Sequence, residues 1–251
     1  METREENRIP NVLAQAGGVL AAGLGLVFAL VAAGLVTAGY VHFHDYEQHY
    51  RTEVKRQLSA VAELKAGELV AWRAERLADA TVLFQSAVFA ALVRRASGNP
   101  KDLEAREQLH AWLRQVRDAY RYEHVSLMDK QGVARISIPD RPLRANAPEP
   151  AREALRSGQI AFLDFHRDAP GAAIHLSILI PIVGAKEGDR PLGVVVLDID
   201  PGQYLYPLIQ RWPTSSRTAE TLLVRRDEND VLFLNELRFQ KNTALSLRIP
   251  L

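Results

Sequence analysis

The chain has 251 residues and a net charge of +1, from 31 Lys and Arg against 30 Asp and Glu, and it contains no cysteine. Balanced charge without a basic tract removes the electrostatic basis for nucleic-acid binding. The missing cysteines exclude disulfides, thiolate metal sites and thiol nucleophiles.

After a short tail, residues 1–10, the segment Asn11–Val41 runs 31 residues without Asp, Glu, Lys, Arg or His. A helix rising about 1.5 Å per residue needs about 20 residues to cross a hydrocarbon core of about 30 Å. A cleavable signal has an apolar stretch of about 7–15 residues, and a core helix rarely lacks charge on every face. Residues 11–41 therefore read as a transmembrane helix, with a cytoplasmic tail before it and the remainder extracytoplasmic, in the periplasm beyond a bacterial inner membrane. The charge count does not decide this orientation, since Arg4 and Arg8 on one flank face Arg51, Lys55 and Arg56 on the other; the character of the following domain carries it. Gly17, Ala21, Gly25, Ala29, Ala33 and Thr37 recur every fourth residue, the small-residue spacing that lets two helices approach, so a homodimer is expected.

Pro10 suits a helix's first turn and the next proline is Pro100. Val54, Leu58, Val61, Leu69, Trp72, Leu83 and Val88 predict an amphipathic helix from about His44 to Ala96, on a path continuous with the membrane helix. His42, His44 and His49 sit near Tyr40, Tyr46 and Tyr50, a composition suited to the headgroup interface. Ser97-Gly98-Asn99-Pro100 breaks the pattern, and Leu109, Trp112, Leu113, Val116 and Tyr120 predict a second helix from Asp102.

Beyond Tyr122 the texture changes to short strands and turns: 124–128, 133–138, a Pro-rich loop at 139–150, a short helix at 151–156, then strands 159–166, 173–183 and 192–199. Pro181 places its strand near an edge or a bulge. Pro201–Gln210 reads as a helix, and Thr221–Arg226 with Val231–Leu234 as a further hairpin. The fold class is α+β, with a five-stranded antiparallel sheet. Residues 42–212 form one domain, and 213–251 begin another.

The order of helices, with Val125–Ser137 (VSLMDKQGVARIS) opening the sheet and Gly193–Pro201 (GVVVLDIDP) closing it, resembles the extracytoplasmic Cache sensor domains, relatives of PAS folds, over about residues 50–238. Glu220–Arg238 (ETLLVRRDENDVLFLNELR) resembles the opening of the membrane-proximal half of a double-Cache arrangement. The resemblance implies a ligand-sensing region of a histidine kinase, diguanylate cyclase or chemoreceptor, signalling small-molecule binding through its long helix. Its ligands would be organic acids or amines. The family's amine-binding run of Tyr, Arg, Trp and Tyr followed by Asp is not found in register.

Strand alternation puts Arg135 with Ser137, Asp164 with His166, and His175 with Ser177 on one face, against Ile136, Ile138, Leu163, Phe165, Leu176, Ile178 and Ile180 on the other. These six polar residues are candidates to line a ligand pocket, Arg135 pairing with a carboxylate and Asp164 with an ammonium group; otherwise the face is simply solvated. Asp198 and Asp200 either complete the pocket or cap the helix at Pro201. Arg141 and Arg144 either close over an anion or serve solubility. No Gly-x-Ser-x-Gly elbow, phosphate loop or His-Glu-x-x-His motif occurs, so no catalytic residue, metal or cofactor is expected. The alternative function is a membrane-tethered periplasmic interaction module without a small-molecule ligand.

Overall fold

The computed structural model describes residues 9–84, 86–99, 101–140, 149–169, 171–184, 191–212 and 218–251, with side chains from residue 23 to 83 in the first stretch. The chain divides into two compact units, Met1–Leu64 and Lys65–Leu251. Helix α1 spans Ile9–Phe84 and belongs partly to each.

Among the described residues of the first unit the apolar side chains face outward: Leu24, Phe28, Leu35 and Val36 are 68–76% exposed. An 18-residue window with mean hydropathy 2.2 makes this helix long and apolar enough to cross a membrane. Nearer Leu64 the surface is charged, with Arg51–Glu47 and Arg56–Glu53 pairs at helical spacing.

In the second unit α1 ends at Phe84 rather than near Ala96, because Ser86 starts a new helix. Its side chain accepts the Phe89 N–H at 3.2 Å as an N-cap for α2, Ala87–Gly98. Asp102 caps α3, Leu103–Tyr120, in the same manner. Strands β1 (His124–Asp129) and β2 (Ala134–Ile138) form a hairpin, and helix α4 (Glu149–Ser157) follows. Then come β3 (Ala161–Arg167), β4 (Ile174–Ile182), β5 (Gly193–Ile199) and helix α5 (Leu205–Gln210).

The sheet is antiparallel throughout, in the order β2-β1-β5-β4-β3. Pro181 pairs with Val194 on β5, while β3 begins at Ala161 opposite Leu179, so β4 has an open edge where the proline lacks a donor. One face is packed by helices. Trp72 and Leu83 of α1, Phe89 and Val93 of α2, and Leu109 and Leu113 of α3 share a buried cluster with Val125, Leu127, Leu176, Ile178, Ile180, Val195 and Leu197. The buried Lys65 donates to the Leu208 carbonyl at 2.9 Å, tying α1 to α5.

Strands β6 (Val224–Asp227), β7 (Asp230–Phe233) and β8 (Arg248–Pro250) make a three-stranded sheet. Leu232 and Leu234 join the buried cluster of the first sheet, and Tyr206 donates its hydroxyl to the Leu234 carbonyl at 2.7 Å.

Candidate functional site

The second face of the five-stranded sheet is divided. Its apolar half carries α4, with Ala151, Ala154 and Leu155 on Met128, Ala134, Leu163, Leu179, Val194 and Val196. The other half is polar and still largely buried. His124 and Ser177 both stand opposite Asp198, one on each neighbouring strand, and Ser126 stands opposite Ser137.

These pairings produce a continuous hydrogen-bond chain. Ser177 donates its hydroxyl to Asp198 Oδ1 at 2.5 Å, and His124 Nδ1 lies 3.1 Å from Asp198 Oδ2. His124 Nε2 lies 2.7 Å from Ser137 Oγ. A carboxylate only accepts, so the proton of His124 sits on Nδ1. The His124 and Asp198 side chains are 13% and 14% exposed. Burial raises the carboxyl pKa of Asp198, but hydrogen bonds from His124 and Ser177, with the fields of His175 and His124, outweigh it and hold the group below its ordinary value. The face thus presents a buried negative charge. Among the described residues, two of the roughly four lone-pair positions of this carboxylate are used, which leaves acceptor capacity.

Next to this chain on the same face, His166 stands opposite His175, their ring centroids 4.3 Å apart. Asp168 Oδ1 lies 3.0 Å from His175 Nε2 and 3.9 Å from His166 Nε2. One ligand atom from each of these three residues lies within 4.8 Å of the others, a set able to hold a cation.

Of the residues expected to line a pocket, Ser137, His166, His175, Ser177 and Asp198 do share this face. Arg135 and Asp164 do not belong to the buried chain, and the reason is the same for both. Met128 pairs with Ala134 while Leu127 pairs with Ile136, which makes Arg135 the extra residue of a bulge. It is exposed and its guanidinium pairs with Asp129 at 2.6 Å. On β3 the register slips between Leu163 and His166, which puts Asp164 at the bulge, where it meets Arg225 at 2.8 Å. The same slip moves Leu163, expected in the helical core, to the face beneath α4. Asp200 accepts the Gly202 N–H at 2.7 Å and so caps the turn after β5. Arg141 and Arg144 lie outside the described residues.

Sequence reasoning missed His124, Ser126 and Asp168. Alternation from Val125 and Leu127 marks His124 and Ser126 as sharing a face, and that signal was available. Asp168 follows the end of β3, where periodicity carries no information.

Ser137, His124 and Asp198 have the order of a nucleophile, a base and its orienting acid. Ser137 is 9% exposed, however, and its one hydroxyl proton is shared between His124 Nε2 at 2.7 Å and the Pro139 carbonyl at 3.2 Å. That geometry holds the hydroxyl against the backbone rather than aiming it at an approaching carbonyl carbon. A separate cleft of about 600 Å³ opens where α2 and α3 meet the β1–β2 turn, lined by Arg94, Arg106, Lys130, Arg135, Ile136 and Leu192 among others.

No family model matches the chain, and comparison with curated proteins gives no match. Among solved structures, the sensor domain of the V. cholerae histidine kinase DctB superposes with a TM-score of 0.51 at 13% identity, covering 62% of this chain and 59% of that one. The ligand-binding domain of the Pseudomonas aeruginosa amino acid chemoreceptor PctB, in complex with L-Gln, superposes at 0.50 with 19% identity, covering 74% and 69%. That of PctC from the same organism, in complex with GABA, gives 0.51 at 15% identity, covering 77% and 80%. The chain spans less than two thirds of the DctB domain. The fold is shared with the sensor and ligand-binding domains of these receptors.

Proposed function

We propose that this chain is the membrane-anchored, extracytoplasmic ligand-sensing region of a bacterial signal-transduction receptor of the histidine kinase, diguanylate cyclase or chemoreceptor type. On this reading α1 is anchored through residues 11–41, a second module opens at 213–251, and the small-residue row from Gly17 to Thr37 mediates a homodimer. The observation that carries ligand binding is the buried polar face: an ionised Asp198, held by His124 and Ser177, in a sheet whose other face is filled with apolar side chains. Burying a carboxylate is costly unless its lone pairs are satisfied, and an ammonium group supplies the missing donors. The ligand class is a small amine-bearing metabolite, in keeping with the amines carried by L-Gln and GABA in the two chemoreceptor domains of this fold.

Ligand binding changes an equilibrium only through different affinity for two states. The polar side chains and the apolar cluster alternate along the same strands, so strand adjustments around a ligand act on the packing of Trp72 and Leu83 of α1. The test is thermal unfolding of the full chain in detergent with a panel of amino acids, amines and organic acids. A ligand at about 100 times its Kd adds about 2.7 kcal/mol. The expected result is stabilisation by one or more amines, abolished in Asp198→Asn and retained in Arg135→Ala; no shift with any compound refutes the reading.

A further inference from the structure

We propose that His166, Asp168 and His175 form a binding site for a divalent transition-metal ion, of which Zn²⁺ is the representative. Two imidazoles and one carboxylate suit such an ion and not Mg²⁺ or Ca²⁺, which prefer all-oxygen sets. Three protein ligands with an open fourth position are the usual arrangement of an accessible zinc site.

The geometry is close to assembled. Zinc sits about 2.0–2.2 Å from nitrogen and oxygen ligands, so two ligands of a tetrahedral site stand roughly 3.3–3.6 Å apart. The observed separations from Asp168 Oδ1, 3.0 Å to His175 Nε2 and 3.9 Å to His166 Nε2, bracket that edge.

A second observation concerns proton placement. His166 Nδ1 lies 2.9 Å from the Asp164 carbonyl oxygen. A carbonyl only accepts, so Nδ1 carries a proton, and Nε2 is the nitrogen turned toward Asp168. This is the backbone support that metal-ligating histidines commonly have. His175 is 6% exposed and fixed within β4, and the β3 bulge brings His166 opposite it. Without the slip between Leu163 and His166, the two imidazoles would not share a row.

The histidines at 42, 44 and 49 provide an internal control. They are exposed along α1, with His44 Nε2 at 3.0 Å from Gln48 and His49 Nδ1 at 2.8 Å from the Asp45 carbonyl. Cation binding is also separable from the small-molecule reading, because Asp198 is not a ligand.

The experiment is calorimetric titration of the metal-free full chain in detergent with ZnCl₂, with MgCl₂ in parallel and Co²⁺ visible absorption as a probe of ligand geometry. One equivalent of Zn²⁺ should bind and Mg²⁺ should give no heat. His166→Gln and Asp168→Asn should each weaken Zn²⁺ at least tenfold without moving the metal-free melting temperature. Replacing His42, His44 and His49 together by Gln should leave the affinity unchanged. The proposal is overturned if the wild-type chain takes up no Zn²⁺, if both His166→Gln and Asp168→Asn bind it as the wild type does, or if binding disappears with the juxtamembrane histidines.

Discussion

The two faces of the five-stranded sheet are made by the same strands but obey different physics. On the helical face, Leu176, Ile178, Ile180, Val195 and Leu197 are at most 1% exposed and interlock with α1, α2 and α3. Their stabilisation scales with apolar area and tolerates no vacancy. On the other face, Ser126, His175 and Ser177 are buried nearly as deeply, at 4%, 6% and 2%, yet each carries polar atoms that require partners. The first face therefore sets stability, whereas the second holds a charge whose environment a ligand can alter. A sheet that differs this much across its thickness can bind on one side while its packing is read on the other.

The contrast is broken most directly by emptying the helical face. Leu197→Ala should cost about 2–5 kcal/mol, through lost burial and the residual cavity, measured by chemical unfolding of the full chain. If the loss stays below about 1 kcal/mol, the apolar face is less closely packed than its burial shows.

Asp198→Asn should cost less, roughly 1–3 kcal/mol, because His124 and Ser177 lose a charged acceptor. The same carboxyl predicts a pH signature. Its folded-state pKa lies below the ordinary 3.8, so its contribution is fully present above 3.8 and is lost as pH falls through the lower folded value. Wild type should consequently lose more stability than Asp198→Asn when acidified through that range, as read from melting temperatures at successive pH values. Equal slopes would show that the charge is not specially held.

Ser177→Ala removes one hydrogen bond but leaves Asp198 its contact with His124, so about 0.5–1.5 kcal/mol is expected. At the bottom of the range, Arg135→Ala and Asp164→Ala should each stay within about 0.5 kcal/mol, since exposed ion pairs contribute little. A large loss of ligand binding in either variant would restore the bulge residues to the site.

Those two bulges also mark where sequence reading stops. Alternation correctly placed His175 and Ser177 together because β4 is regular through 177, with Leu176 and Ile178 turned to the core. It misplaced Arg135 and Asp164 because one extra residue inverts every assignment on one side of it, and no pattern in ARISI or AFLDFHR announces the insertion. The end of α1 was missed for a related reason: the apolar spacing continues past Ser86, and only the cap contact with Phe89 shows that the helix restarts there.

By itself the sequence determined the uncharged membrane-length segment, the order of helices and strands, the antiparallel hairpins and most members of the polar face. Each of these follows from local composition or a short period along the chain. Tertiary structure decided that His124 and Ser177 grip the same carboxylate from neighbouring strands, and that two histidines and Asp168 converge after a register slip. Cross-strand register is a property of pairing between distant segments, and a period read along one segment holds no record of it.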